Sequence, residues 1–133
     1  MRGDSEGEVT VSGKPRIVII EDEFFVAWNL QTMLEDLGFD LCEIASNAES
    51  GVDCAIKQVA ELLLVDVNLG RGPDGIEAVR RIRECCEVAA IFITAYTDEG
   101  NLSRIRQVAP EAPVLSKPVS SDLLLSTIKR LFP

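Results

Sequence analysis

The sequence predicts an α/β domain in which five parallel strands are covered by helices on both faces. Three observations carry that prediction. Short aliphatic runs recur along the chain, and stretches of helical periodicity separate them. The run Leu62-Leu63-Leu64-Val65 is apolar at every position, as expected of a strand buried on both sides. The runs also end in polar residues: Glu21 and Asp22, then Asp66, then Thr94, then Ser116 and Lys117. In open α/β sheets, ligands collect just beyond the carboxyl ends of the strands.

In chain order, Arg16-Ile17-Val18-Ile19-Ile20 reads as the first strand. A helix follows from Phe24 to Leu37, with Ala27, Leu30, Leu34 and Leu37 at helical spacing and Gly38 placed to end it in a left-handed residue. Phe39 to Ala45 is a strand of interrupted apolar character. Ala48 to Ala60 is a helix capped by Asn47 or Ser46, with Val52, Ala55, Ile56 and Val59 inward. After the Asp66 strand, Gly70, Gly72, Pro73 and Gly75 mark a loop, and Asp74 caps a helix containing Ile76, Val79 and Ile82. Val88 to Ile93 is the fourth strand. The next stretch has only Leu102, Ile105 and Val108 in helical register, so its helix is predicted to be short or mobile. Pro113-Val114-Leu115 is the fifth strand, and Asp122 to Phe132 is a closing amphipathic helix. Right-handed crossovers between such units give a flavodoxin-like, doubly wound sheet of strand order 2-1-3-4-5, with strands 1 and 3 flanking the switch point.

A chain of 133 residues forms one domain, placed here at residues 16–133. Residues 1–15 form a Gly/Ser/acid-rich tail expected to be disordered, and they lack the apolar centre of a signal peptide, so a cytoplasmic location is expected. No apolar stretch approaches a membrane span. The net charge of −9 argues against nucleic acid, whose binding rests on basic residues, and favours a cation or a partner with a basic rim. There is no histidine, which removes His-ligated zinc sites and His-dependent triads. The four cysteines (Cys42, Cys54, Cys85 and Cys86) contain no C-x-x-C and read as small core residues. The chain ends at Pro133, one residue past the last helix, so no output domain is expected.

The fold expectation brings Glu21, Asp22, Asp66, Thr94 and Lys117 to one edge of the sheet. Two carboxylates about 4 Å apart repel by roughly 4 kcal/mol at an effective dielectric near 20. Three together require raised pKa values or counter-charge, and Lys117 supplies only one positive charge. A hard divalent cation, Mg²⁺ above all, would balance the rest, with the backbone carbonyl of Asn68 as a further ligand. Asp66, held beside a metal, a hydroxyl and a lysine, suits a nucleophile that takes a phosphoryl group as an acyl phosphate. Thr94 can donate to a phosphoryl oxygen, and small Ala95 leaves room for the group.

Asp22 after a buried strand, Asp66 after Leu-Leu-Leu-Val, Thr94-Ala95 and Lys117-Pro118 resemble the receiver domain of two-component response regulators, the CheY-like family, over residues 16–132. The resemblance implies a non-enzymatic signalling module, monomeric, whose Asp66 takes phosphate from a phosphohistidine on a sensor histidine kinase or a phosphotransfer protein. It implies Mg²⁺ held by Glu21 (through water), Asp22 and Asp66, phosphoryl contacts from Thr94 and Lys117, and a cis Lys117-Pro118 peptide. The usual switch aromatic is absent, Val114 standing at its position; Tyr96 follows Thr94 instead. Phe92-Ile93-Thr94-Ala95-Tyr96 is similar to the FATGUY-type receivers of alphaproteobacteria, which implies Thr94 and Tyr96 as the switch pair and a kinase of the HWE or a related class. Two readings compete. A phosphohydrolase of the haloacid dehalogenase type would need D-x-D, whereas Phe24 and Asn68 stand at the second positions after Asp22 and Asp66. A non-phosphorylated adaptor would not need the complete set of site residues. Phe24, Phe25 and Trp28 on the first helix and Leu123, Leu124, Leu125 and Ile128 on the last either widen the core stripe or form an apolar patch that docks a kinase helix bundle.

Overall fold

A computed structural model describes residues 14–95 and 98–133, with Cys42 described by its backbone alone. The elements alternate as the patterning demands: β1 (Ile17–Ile20), α1 (Phe24–Asp36), β2 (Leu41–Ala45), α2 (Ala48–Lys57), β3 (Leu62–Val65), α3 (Gly75–Arg83), β4 (Ala89–Thr94), α4 (Glu99–Val108), β5 (Val114–Ser116) and α5 (Ser121–Leu131). All strand pairs are parallel, in the order β2-β1-β3-β4-β5, the flavodoxin-like 2-1-3-4-5 arrangement.

Alternation along the strands divides the interior in two. Ile17 and Ile19 of β1 join Leu62 and Leu64 of β3 under α1 and α5, where they meet Leu30, Leu34, Leu124 and Ile128. Val18, Ile20, Leu63 and Val65 face the other way, against Ala55 of α2, Val79 and Ile82 of α3 and Ile105 of α4. Both faces of the two central strands are therefore dry, which is why their sequences show no polar alternation.

The helix ends follow local chemistry. Asn47, Asp74, Asp98 and Ser120 each accept the backbone N–H three residues on, satisfying a donor that the first turn leaves free. At the end of α1, Gly38 (φ 89°) and Phe39 donate to Glu35 O and Leu34 O, a Schellman pair closed by a left-handed glycine. The end of α2 has the same pair, Val59 to Ile56 O and Ala60 to Ala55 O, but its left-handed residue is Val59 (φ 53°). Gly75 opens α3 against the preceding strand; a Cβ there would lie 2.0 Å from the carbonyl oxygen of Asp66.

Several expectations are corrected. Ile56 and Val59, expected inward, are 42% and 69% exposed, because α2 ends at Lys57 and its inner face is carried by Gly51, Cys54 and Ala55. Cys85, read as a core residue, is exposed just past the end of α3. The sparse apolar pattern predicts a fourth helix that is short or mobile; α4 has ten residues, as many as α2, so it is not short. Polar contacts do part of what burial does elsewhere: Asp98 caps its start, and Arg104 reaches across to Asp74, while Ile105 is its one buried residue. Residues 1–13, the bulk of the expected tail, and Tyr96 of the expected switch pair lie outside the described residues.

Candidate functional site

The ladder places the functional side chains by simple continuation. Ile20 pairs with Val65, so the next residues, Glu21 and Asp66, emerge side by side where β1 and β3 end. The Asp66 N–H donates to Ile20 O at 3.0 Å, and the Glu21 N–H donates to Ala45 O at 2.9 Å. At the far side of the sheet Thr94 pairs with Ser116, and the Lys117 N–H donates to Thr94 O at 3.0 Å. The Lys117-Pro118 peptide is cis.

Carboxylate oxygens of Glu21, Asp22 and Asp66 all lie within 4.8 Å of one another, a grouping suited to a metal ion. Glu21 and Asp66 are buried, at 3% and 6% exposure, whereas Asp22 faces solvent. Lys117 Nζ stands between the buried pair, 2.9 Å from Glu21 Oε1 and 3.2 Å from Asp66 Oδ2. The other Glu21 oxygen accepts the Glu23 N–H at the start of α1, and Asp66 Oδ1 accepts the Asn68 N–H at 3.3 Å.

The electrostatics show a site short of positive charge. Burial raises the Glu21 carboxyl from its ordinary 4.5 to about 7; the Asp66 charge adds to this, and the Lys117 and Glu23 contacts only partly oppose it. For Lys117, burial acts to lower its pKa, but Glu21 and Asp66 more than offset that, and the ammonium is held above its ordinary value. One cation thus serves two buried carboxylates, with a third beside them. Hard oxygen donors, clustered and under-neutralised, fit a hard divalent cation such as Mg²⁺.

These groups border a cavity of about 450 Å³ lined by Asp22, Asp66, Asn68, Thr94, Ala95 and Lys117, with Glu23, Val67, Gly70, Asp74 and Asn101 completing it. Glu21 lies behind this wall, linked through Lys117. Sequence patterning brings Glu21, Asp22, Asp66, Asn68, Thr94 and Lys117 to the site, and the structure gathers them. Among the residues it adds to the expected set, Asp74 and Asn101 are the two polar ones brought in from α3 and α4. Asp74 is visible in the sequence only as a helix cap, and Asn101 carries no signal, being one polar residue in a weakly periodic segment. Burial acts to raise the Asp74 carboxyl, but the Arg104 guanidinium and the backbone of α3 hold it below its ordinary range.

A doubly wound parallel sheet with clustered carboxylates beyond its first and third strands and a lysine beyond its fifth defines a CheY-like α/β domain with an acidic site. The family model of the response regulator receiver domain matches residues 17–129, and the chain belongs to that family. Receiver domains are signalling modules. The transcriptional regulatory protein AruR of Pseudomonas aeruginosa is 34% identical over 124 residues, covering 88% of this chain and 49% of AruR. The phyllosphere-induced regulator PhyR of Methylorubrum extorquens is 34% identical over 92 residues, covering 68% of this chain and 34% of PhyR. The chain therefore spans between a third and a half of these two regulators. The signal receiver domain of a modulated diguanylate cyclase from Desulfovibrio desulfuricans G20 superposes with a TM-score of 0.82 at 34% identity, covering 88% of this chain and 92% of that one.

Proposed function

We propose that this receiver domain accepts a phosphoryl group on Asp66 from a phosphohistidine of a sensor histidine kinase or phosphotransfer protein, in a Mg²⁺-dependent step. The observation that carries the reading is the buried Asp66 carboxylate, grouped with two others within 4.8 Å and held 3.2 Å from the Lys117 ammonium. A carboxylate oxygen of Asp66 attacks phosphorus as the donor's N–P bond breaks, and the electron pair stays on the departing imidazole nitrogen. Lys117 and the Thr94 hydroxyl meet the phosphoryl oxygens, while Ala95 leaves the space they occupy. Glu21, Asp22, Asp66 and the Asn68 carbonyl are the groups that would hold Mg²⁺, with Glu21 acting through water. When bound, the ion supplies charge neutralisation for the carboxylates and the transferring group.

The same reading assigns a donor-docking face. Phe24, Phe25 and Trp28 on α1 are 73%, 77% and 57% exposed, so they are not core. Phe25 also borders an apolar cleft of about 320 Å³ with Leu30, Pro118 and Val119, and Lys117 stands at its edge. A kinase helix seated there would present its phosphohistidine next to the acidic site. Thr94 and Tyr96 would form the switch pair, with a kinase of the HWE or a related class as donor. The domain would work as a cytoplasmic monomer; among the described residues no helix is long and apolar enough to cross a membrane.

The test is direct. Incubation with Mg²⁺ and acetyl phosphate should add about 80 Da to the intact protein, the mass of one phosphoryl group. The gain should vanish in Asp66→Ala and in the presence of a chelator. An unmodified wild-type protein, or an Asp66→Ala variant that still gains the mass, would overturn the assignment.

A further inference from the structure

A second cation reaches the wall of the acidic cavity from α4. Arg104 donates to both oxygens of Asp74, with Nη1 2.6 Å from Oδ2 and Nη2 3.1 Å from Oδ1, and its Nη1 also lies 3.4 Å from Asn101 Oδ1. Asp74 and Asn101 line the same cavity as Asp66 and Lys117. The two ends of this fork are thirty residues apart in sequence, on α3's cap and on α4.

The charges around the cavity make the fork consequential. Asp22, Glu23, Asp66 and Asp74 all contribute to its lining, and Lys117 is already committed to Glu21 and Asp66. Any phosphoryl donor arrives as an anion, and the phosphorylated product carries roughly −1.5 to −2 charge. An uncancelled Asp74 would repel both. Arg104 cancels it through a bidentate pair, the geometry in which a guanidinium holds a carboxylate best.

We infer that Arg104 is a positioning residue for anionic phosphoryl groups: by neutralising Asp74 and holding Asn101 at the cavity wall, it lets a phosphorylated donor approach Asp66. The inference rests on the phosphoacceptor reading of Asp66. A purely structural role, pinning the thinly buried α4 to α3, makes different predictions. Removing either partner of the pair would then have the same effect. If Arg104 acts through charge, losing Arg104 alone is harmful because it bares a carboxylate, and neutralising Asp74 relieves the defect.

The experiment measures the initial rate of mass gain with Mg²⁺ and acetyl phosphate for the full chain and for Arg104→Ala, Arg104→Lys, Asp74→Asn and the double variant Arg104→Ala/Asp74→Asn. Melting temperatures are recorded for each. Asparagine is as good a helix cap as aspartate, so Asp74→Asn keeps the start of α3. Arg104→Ala should be slower by about ten-fold, the size of one unscreened charge at the mouth of a site. Its defect should shrink between about 0.05 and 0.5 M salt. Arg104→Lys should recover most of the rate, and the double variant should match Asp74→Asn alone. Equal rates for Arg104→Ala and wild type would overturn the inference. So would an Asp74→Asn defect as large as that of Arg104→Ala, a double variant no faster than Arg104→Ala, or a defect indifferent to salt. If Arg104→Ala does not fold, Arg104→Gln, which also removes the charge but keeps much of the side chain, takes its place in each of these comparisons. A wild-type protein that gains no mass would overturn the phosphoacceptor reading itself, and the inference with it.

Discussion

Glu21 has the greatest influence on how the site responds to pH. Its carboxyl is buried, and burial places its pKa at about 7 in the fold against an ordinary 4.5. Below about 4.5 both folded and unfolded chains hold the proton, and the fold bears no penalty. Between about 4.5 and 7 the unfolded chain has released the proton while the fold retains it, so stability falls as pH rises through that window. In chelator, the melting temperature should therefore decline from pH 5 to pH 7.5, and Glu21→Gln should flatten the decline. Added Mg²⁺ should restore stability most at the upper end, where Glu21 has released most of its proton and binds a cation best. A wild-type profile as flat as that of Glu21→Gln would show that burial does not hold the proton.

Among the elements, α2 ends in a conformation that its sequence does not favour. Val59 occupies the left-handed position of a Schellman pair, where α1 uses Gly38. A β-branched residue there crowds its own carbonyl at a cost of about 1–2 kcal/mol. Its side chain is 69% exposed and gains little from packing. Val59→Gly should therefore stabilise the protein by about 1 kcal/mol and raise its melting temperature by about 3–4 °C. An unchanged or lower melting temperature would mean that the exposed valine makes a compensating contribution. The neighbouring α3 shows the opposite case. Gly75 is required because its α-carbon packs against the backbone of Asp66, so the helix start and the Asp66 backbone share one steric constraint.

For the whole molecule, Lys117 borders both the acidic cavity and the apolar cleft beside Phe25 of α1. Under the proposed function, this arrangement would separate chemistry from docking. Trp28→Ala removes exposed apolar surface without touching the carboxylates. It should slow phosphotransfer from a cognate kinase by about five-fold or more, as loss of a large aromatic anchor does at other interfaces. Labelling by acetyl phosphate, which needs no docking face, should be unchanged. Leu123→Ala on α5, where that side chain is 44% exposed, tests how far the face extends. Equal losses with both donors would place Trp28 in the fold or the site rather than at a partner interface.

The sequence by itself determined the parts that are written locally. Four aliphatic residues in a row make a strand dry on both faces, an Asp or Asn three residues ahead of a free N–H makes a cap, and a polar residue following a strand must appear at the sheet's edge. Glu21, Asp22, Asp66, Thr94 and Lys117 were legible for that reason. Tertiary structure alone decided what depends on distances between remote residues: Lys117 bridging Glu21 and Asp66, Gly75 resting on the Asp66 carbonyl, and Arg104 of a weakly patterned helix closing on Asp74. It also settled that Phe24, Phe25 and Trp28 face outward, because the side of a helix that is buried depends on where its neighbours pack. Periodicity records how a residue relates to those three or four positions away, whereas charge neutralisation and steric contact depend on separation in space.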